Sequence, residues 1–156
     1  MTRMMSKAQS SFELLITLSV GLAILLPVVA VAFMQLANAS SSLSATESQQ
    51  AADKLSSVAT LVGSEGPPAK QVVQVQIPPG VRYIYVGTKA NTPGHEVIFV
   101  VGAPTGLSYI TSYTPVNVSG NLGGISAAGA YLVNVTAYSS CPHSTQLPCV
   151  YMSPVV

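Results

Sequence analysis

The sequence predicts an α+β chain: a long N-terminal α-helix, membrane-spanning and then amphipathic, followed by a small antiparallel β-sandwich or partly open barrel. Three observations predict it. Residues 14–36, LLITLSVGLAILLPVVAVAFMQL, contain no ionisable group. Apolar residues then recur at helical spacing as far as Val62, and beyond a break at residues 63–68 the pattern alternates with a period of two.

Composition narrows the function classes. The 156 residues carry a formal charge of +1, only 7% of them are charged and Trp is absent. The high apolar fraction and frequent strand-forming runs argue against disorder. Six scattered basic residues form no patch interleaved with aromatics, which argues against a nucleic-acid partner. So few charges leave a soluble monomer poorly protected against association. The composition suits a surface covered by copies of itself, by a membrane or by sugar.

The helix comes first. About 23 apolar residues make a helix of roughly 34 Å, enough to cross a hydrocarbon core. Arg3 and Lys7 precede the run, and the first charges after it are Glu47, Asp53 and Lys54. The positive-inside bias places the short N-terminus in the cytoplasm and everything after Leu36 outside. Leu36, Leu43, Ala51, Leu55, Val58 and Val62 continue the helical spacing, and no Pro or Gly intervenes before Gly63. The spacing predicts one helix over residues 10–62, with its amphipathic half covering a sheet through Leu43, Leu55, Val58 and Val62, and a kink near Gly21 or Pro27. Two plainer readings remain open. One is a cleaved secretory signal ending at Ala37-Asn38-Ala39, although the run exceeds the usual apolar region of such signals. The other is a permanent single-span anchor.

The Gly63-Ser64-Glu65-Gly66-Pro67-Pro68 stretch ends the helix. Residues 71–77 then read as a strand, Pro78-Pro79-Gly80 as a turn, and residues 81–86 as the antiparallel partner. Further strands fall at residues 96–102, 107–113, 131–138 and 149–152, separated by Gly- and Pro-bearing turns. Cys141 and Cys149 flank a polar loop, and outside the cytoplasm such a pair is most simply a disulfide. The rival is a metal site of Cys141, His143 and Cys149. Titratable groups are few, and no nucleophile, metalloprotease, phosphate-loop or calcium-loop motif is present, so no enzyme and no cofactor are expected. Seven tyrosines divide between core packing and a possible recognition face for protein or glycan.

Glu13 stands out as a carboxylate at the lip of the apolar run. Around it, Ala8-Gln9-Ser10-Ser11-Phe12-Glu13-Leu14-Leu15, with Lys7 before it, resembles the class III signal peptide of archaeal type IV pilin-like proteins. Ala8 stands where Gly is commonest in that family. The phrase Val75-Gln76-Ile77-Pro78-Pro79-Gly80-Val81 is also similar. The likeness is to adhesion-type pilins and not to archaellins, whose signals continue with a glycine-rich, carboxylate-free start. It implies cleavage between Ala8 and Gln9 by a prepilin peptidase that recognises Lys7, Ser10 and Ser11. The chain would then divide into a leader (1–8), a helix (9–62, filament core 14–36), a linker (63–69) and an extracellular β domain (70–156).

The resemblance also implies polymerisation into a surface filament with copies of itself, aided by a membrane platform protein and an assembly ATPase. In that setting Glu13 would meet the new α-amino group of a neighbouring subunit and fix register. Otherwise Glu13 sits in the headgroups as an acid near a helix N-terminus. The alternative function is a minor or membrane-anchored binding module that forms no homopolymer. Asn38, Asn117 and Asn134 each begin an N-glycosylation triplet, and an exported, charge-poor chain suits that use.

Overall fold

The computed structural model describes residues 2–90, 92–103, 106–142 and 147–155, with side chains from residue 12 onward. The chain forms two compact units, Met1–Ser40 and Ser41–Val156. One helix, α1 (Thr2–Glu65), supplies all the regular structure of the first unit and the opening of the second. It begins at Thr2 and not at Ser10, because Met, Arg, Lys and Ala are good helix formers and no Gly or Pro lies among residues 2–9. Pro27 lies inside it without ending it. The stop is chemical. Gly66 takes a positive φ of 74°, and its N–H donates to the Val62 carbonyl at 3.2 Å. Pro67 and Pro68 cannot continue the ladder.

In the second unit the helix carries a buried stripe of Ser48, Ala51, Ala52, Leu55, Ala59 and Val62, spaced by three and four residues. Leu43 does not join it and is 62% exposed. Twelve residues before Leu55, it points about a third of a turn away from the stripe. Small side chains bring the helix close to the sheet: a Cβ on Gly63 would sit 2.9 Å from Val116. Asp53 ties the two layers at one side, accepting from Ser112 Oγ at 2.7 Å and from Gln49 Nε2 at 2.9 Å. The hydroxyls of Ser48 and Ser56 are buried in the stripe without a hydrogen-bond partner. An unpaired buried hydroxyl costs about 1 kcal/mol or more, and Ala is the better helix former. Ser48→Ala is therefore expected to raise the stability of this unit by about 1 kcal/mol in urea titration; a loss of stability would show that the hydroxyl is satisfied.

The strands are β1 (Lys70–Ile77), β2 (Val81–Val86), β3 (Gly94–Ala103), β4 (Gly106–Asn121), β5 (Gly129–Tyr138) and β6 (Cys149–Pro154). They form one open, mostly antiparallel sheet in the order β1-β5-β6-β4-β2-β3, with β3 pairing back onto β4. β4 and β6 run parallel. The second layer over this sheet is the helix, so the head is a helix-covered sheet and not two facing sheets. Phe99, Leu55, Ile77, Val75, Val97, Val133 and Met152 fill the space between.

One pairing differs from the sequence expectation. β1 and β2 do not form a hairpin: β1 pairs with β5, and β2 with β3 and β4. The Pro78-Pro79-Gly80 turn serves another strand, because the Gly102 N–H donates to the Gly80 carbonyl at 2.8 Å. β4 also runs on to Asn121, well past Tyr113. Pro115 is tolerated because the β3–β4 register jumps from Glu96↔Tyr113 to Gly94↔Val118, leaving it in a bulge where no ladder bond is lost.

Candidate functional site: an exposed apolar helix and a tyrosine face

In the first unit, every large apolar side chain from Phe12 to Leu36 is exposed, between 45% and 68%. The helix is long and apolar enough to cross a membrane, and its location near the N-terminus suits membrane insertion or a secretion signal. Its two hydroxyls between Phe12 and Leu36 are turned back onto the helix backbone. Thr17 Oγ1 donates to the Glu13 carbonyl at 3.0 Å, and Ser19 Oγ to the Leu15 carbonyl at 2.7 Å. No hydroxyl there needs water, as an apolar solvent requires. Glu13 is exposed, and no other ionisable residue follows it before Glu47. Lys7, Ala8, Gln9, Ser10 and Ser11 lie within the helical backbone, and their side chains are outside the described residues. Ala37-Asn38-Ala39 is also helical.

The second feature lies on the sheet face turned away from the helix. Ladder partners share a face. The register Tyr83↔Val100↔Tyr109 therefore sets a valine between two tyrosines, and Tyr85↔Ile98↔Thr111 lies beside it. Ile98 and Val100, set beside these rings in the ladder, are buried although they lie outside the core cluster under the helix. Tyr83 and Tyr85 stack at 6.1 Å, and Tyr113, 69% exposed, stacks on His95 at 5.8 Å. Lys89 Nζ lies 4.5 Å from the centre of the Tyr109 ring. The even spacing of Tyr83/Tyr85 (i, i+2) and Tyr109/Tyr113 (i, i+4) was the signal in the sequence. Tyr138 and Tyr151 make an edge-on pair at 6.4 Å elsewhere on the sheet. No described tyrosine is fully buried.

The remaining sequence candidates fall apart in space. Cys141 and Cys149 form a disulfide with Cα atoms 5.3 Å apart. Closing that short loop restricts the unfolded chain by about 2 to 3 kcal/mol. Bonded to each other, the sulfurs are not available as thiolate ligands; His143 is outside the described residues. Asn38 is exposed on the helix of the first unit. Asn117 is half-buried in the β4 bulge, with Ser119 of its triplet buried. Asn134 is half-buried on β5, and its Oδ1 accepts from Thr136 Oγ1 at 3.3 Å. Among the described residues no three His, Cys, Asp or Glu side chains cluster. A cleft between the end of α1 and β4–β6 is bordered by Gly66, Pro67, Pro115, Asn117, Tyr138 and Val150, and among the described residues no acid, amine or imidazole borders it.

Comparison with protein-family models, with curated proteins and with solved structures finds no match for this chain. A long N-terminal apolar helix whose later turns pack on a β-sheet is an organisation compatible with a pilin-like subunit.

Proposed function

We propose that this chain is a structural subunit of an extracellular type IV pilus-like filament that serves surface adhesion. The observation that carries the proposal is the helix of residues 12–36, whose apolar side chains have no cover within their own unit. Burying a dozen such side chains against neighbouring helices is worth on the order of 20 kcal/mol relative to water, before entropy. Relative to lipid the gain is far smaller, because lipid tails are as apolar as Leu. The precursor therefore rests in the membrane, and extraction into a filament needs a platform protein and an ATPase. A prepilin peptidase first cuts between Ala8 and Gln9. The partners are then copies of this chain, with no cofactor, no catalysis and no nucleic acid.

Intact mass of the surface form provides the test. It is expected to lack residues 1–8 and to begin at Gln9, with any sugar on Asn38, Asn117 or Asn134 read as added hexose-sized increments. A surface form still carrying Met1, or one beginning after Ala39, overturns the proposal.

The tyrosine face supports a second reading, a membrane-anchored or minor binding module. Rigid rings with polar tips give contact area at little entropic cost. Electron microscopy of sheared surface material separates the two readings. A filament whose main band is this chain supports the first, and a filament without it supports the second.

A further inference from the structure

β1 is the strand whose second edge has no partner among the described residues: it pairs only with β5, whereas β3, at the other end of the strand order, pairs back onto β4. The free edge is regular. Lys70 through Ile77 stay in unbroken register with β5, and no charge, proline or bulge occurs from Gln71 to Ile77. Natural sheets place such devices on exposed edges because a bare row of N–H and C=O groups templates another strand. Beside the edge is a cleft bordered by Glu47, Gln50, Ala51, Lys54, Val75 and Gln76. No residue of β5 borders it, so it opens on the unpaired side.

Both walls of this cleft are self-complementary. Glu47 and Lys54 stand about two helical turns apart, one on each side of Gln50 and Ala51. An acid and a base at equal distances from a centre match the same pattern turned through half a rotation. β1 behaves likewise about Val75. Gln74 and Gln76 flank it on the exposed face, and Val73 and Ile77 flank it on the core face.

We propose that two copies of this chain join through their β1 edges, antiparallel, about a twofold axis at Val75. Gln74 then stands opposite Gln76 of the second copy, and Glu47 faces Lys54 of the second copy, so that one sheet runs through both. An isologous contact of this kind cannot repeat along a polar polymer. Because it sets the two helices antiparallel at residues 47–54, it joins chains held in two facing membranes or two filaments running in opposite directions, and it does not depend on the filament reading.

The test uses the full chain in detergent micelles. Differently tagged Gln74→Cys and Gln76→Cys chains are mixed and oxidised. The mixture is expected to form a linked heterodimer, and either variant alone about tenfold less, because the register puts position 74 opposite 76. Glu47→Lys is expected to weaken the dimer about tenfold in light scattering, and Glu47→Lys with Lys54→Glu to restore it, as like charges are relieved. Circular dichroism checks the fold of each variant; if a cysteine variant loses it, the charge-reversal pair decides alone. Equal linking in the single variants, a double reversal no better than Glu47→Lys, or a monomer at every concentration overturns the proposal. So does a different protein found linked at this edge.

Discussion

Glu13→Ala is expected to reduce sheared filament about 100-fold while leaving export and the cut before Gln9 unchanged. In the proposed assembly the helices bundle out of water, and the α-amino group of each trimmed chain needs a partner there. Removing one member of a buried ion pair costs about 3 to 5 kcal/mol, because the other is left charged and unpaired. At 1.4 kcal/mol per tenfold, even the lower figure gives about two orders of magnitude. The helix itself should not suffer. Glu13 is exposed in its unit, and its backbone carbonyl, not its carboxylate, accepts the Thr17 hydroxyl. Counting filaments by electron microscopy beside an immunoblot of the membrane form separates assembly from export. Unchanged filament number and length would exclude a registering role and return Glu13 to the headgroups.

Leu55→Ala is the second large effect, expected to destabilise the Ser41–Val156 unit by about 3 kcal/mol, within the usual 2 to 5 for a buried leucine. Leu55 is 0% exposed in a stripe otherwise made of Ala, Ser and Val. Its neighbours in the stripe are too small to fill the cavity. Leu43→Ala is the matched control. Its side chain is exposed, so it should shift the unfolding midpoint of the unassembled chain by no more than about 0.5 kcal/mol. Urea unfolding of both variants in micelles, followed by tyrosine fluorescence, distinguishes them. Equal losses would mean that the helix packs on the sheet through a different face.

That contrast shows which parts of the fold were legible in the residues. The helix was legible because an uncharged run and its continuation are unbroken from Leu14 to Val62, and so was its end, where Gly66, Pro67 and Pro68 meet. The buried stripe was only half legible. Hydrophobicity points to Leu43, yet the sheet accepts Ser48, Ala51 and Ala52, because a close approach selects for size before apolarity. Strand positions followed from alternation, but partners did not. Pro78-Pro79-Gly80 is the same turn whether β2 returns along β1 or crosses to β3, and the ladders with the Gly102–Gly80 hydrogen bond distinguish them. Likewise Pro115 reads as a stop unless the bulge around it is known. The tyrosine face lay within reach of period-two counting. The Lys89–Tyr109 and His95–Tyr113 contacts did not, since they depend on how β3 and β4 register.

The place of β6 has a consequence for biogenesis. Among the described residues two half-sheets, β1–β5 and β2–β3–β4, share no ladder with each other, and β6 joins them, between β5 and β4. It is also the last of the six to be synthesised. Under the proposed export, a chain threading outward through the membrane carries two unjoined halves, with apolar faces bare, until its sixth strand emerges. Long-range closure of this kind is slow and leaves an interval open to misassociation. The Cys141–Cys149 bond, formed at the entrance to β6, shortens the search by holding that strand beside the end of β5. Translation arrested anywhere before Cys149 leaves the seam open, so a completed surface certifies that the ribosome has passed it.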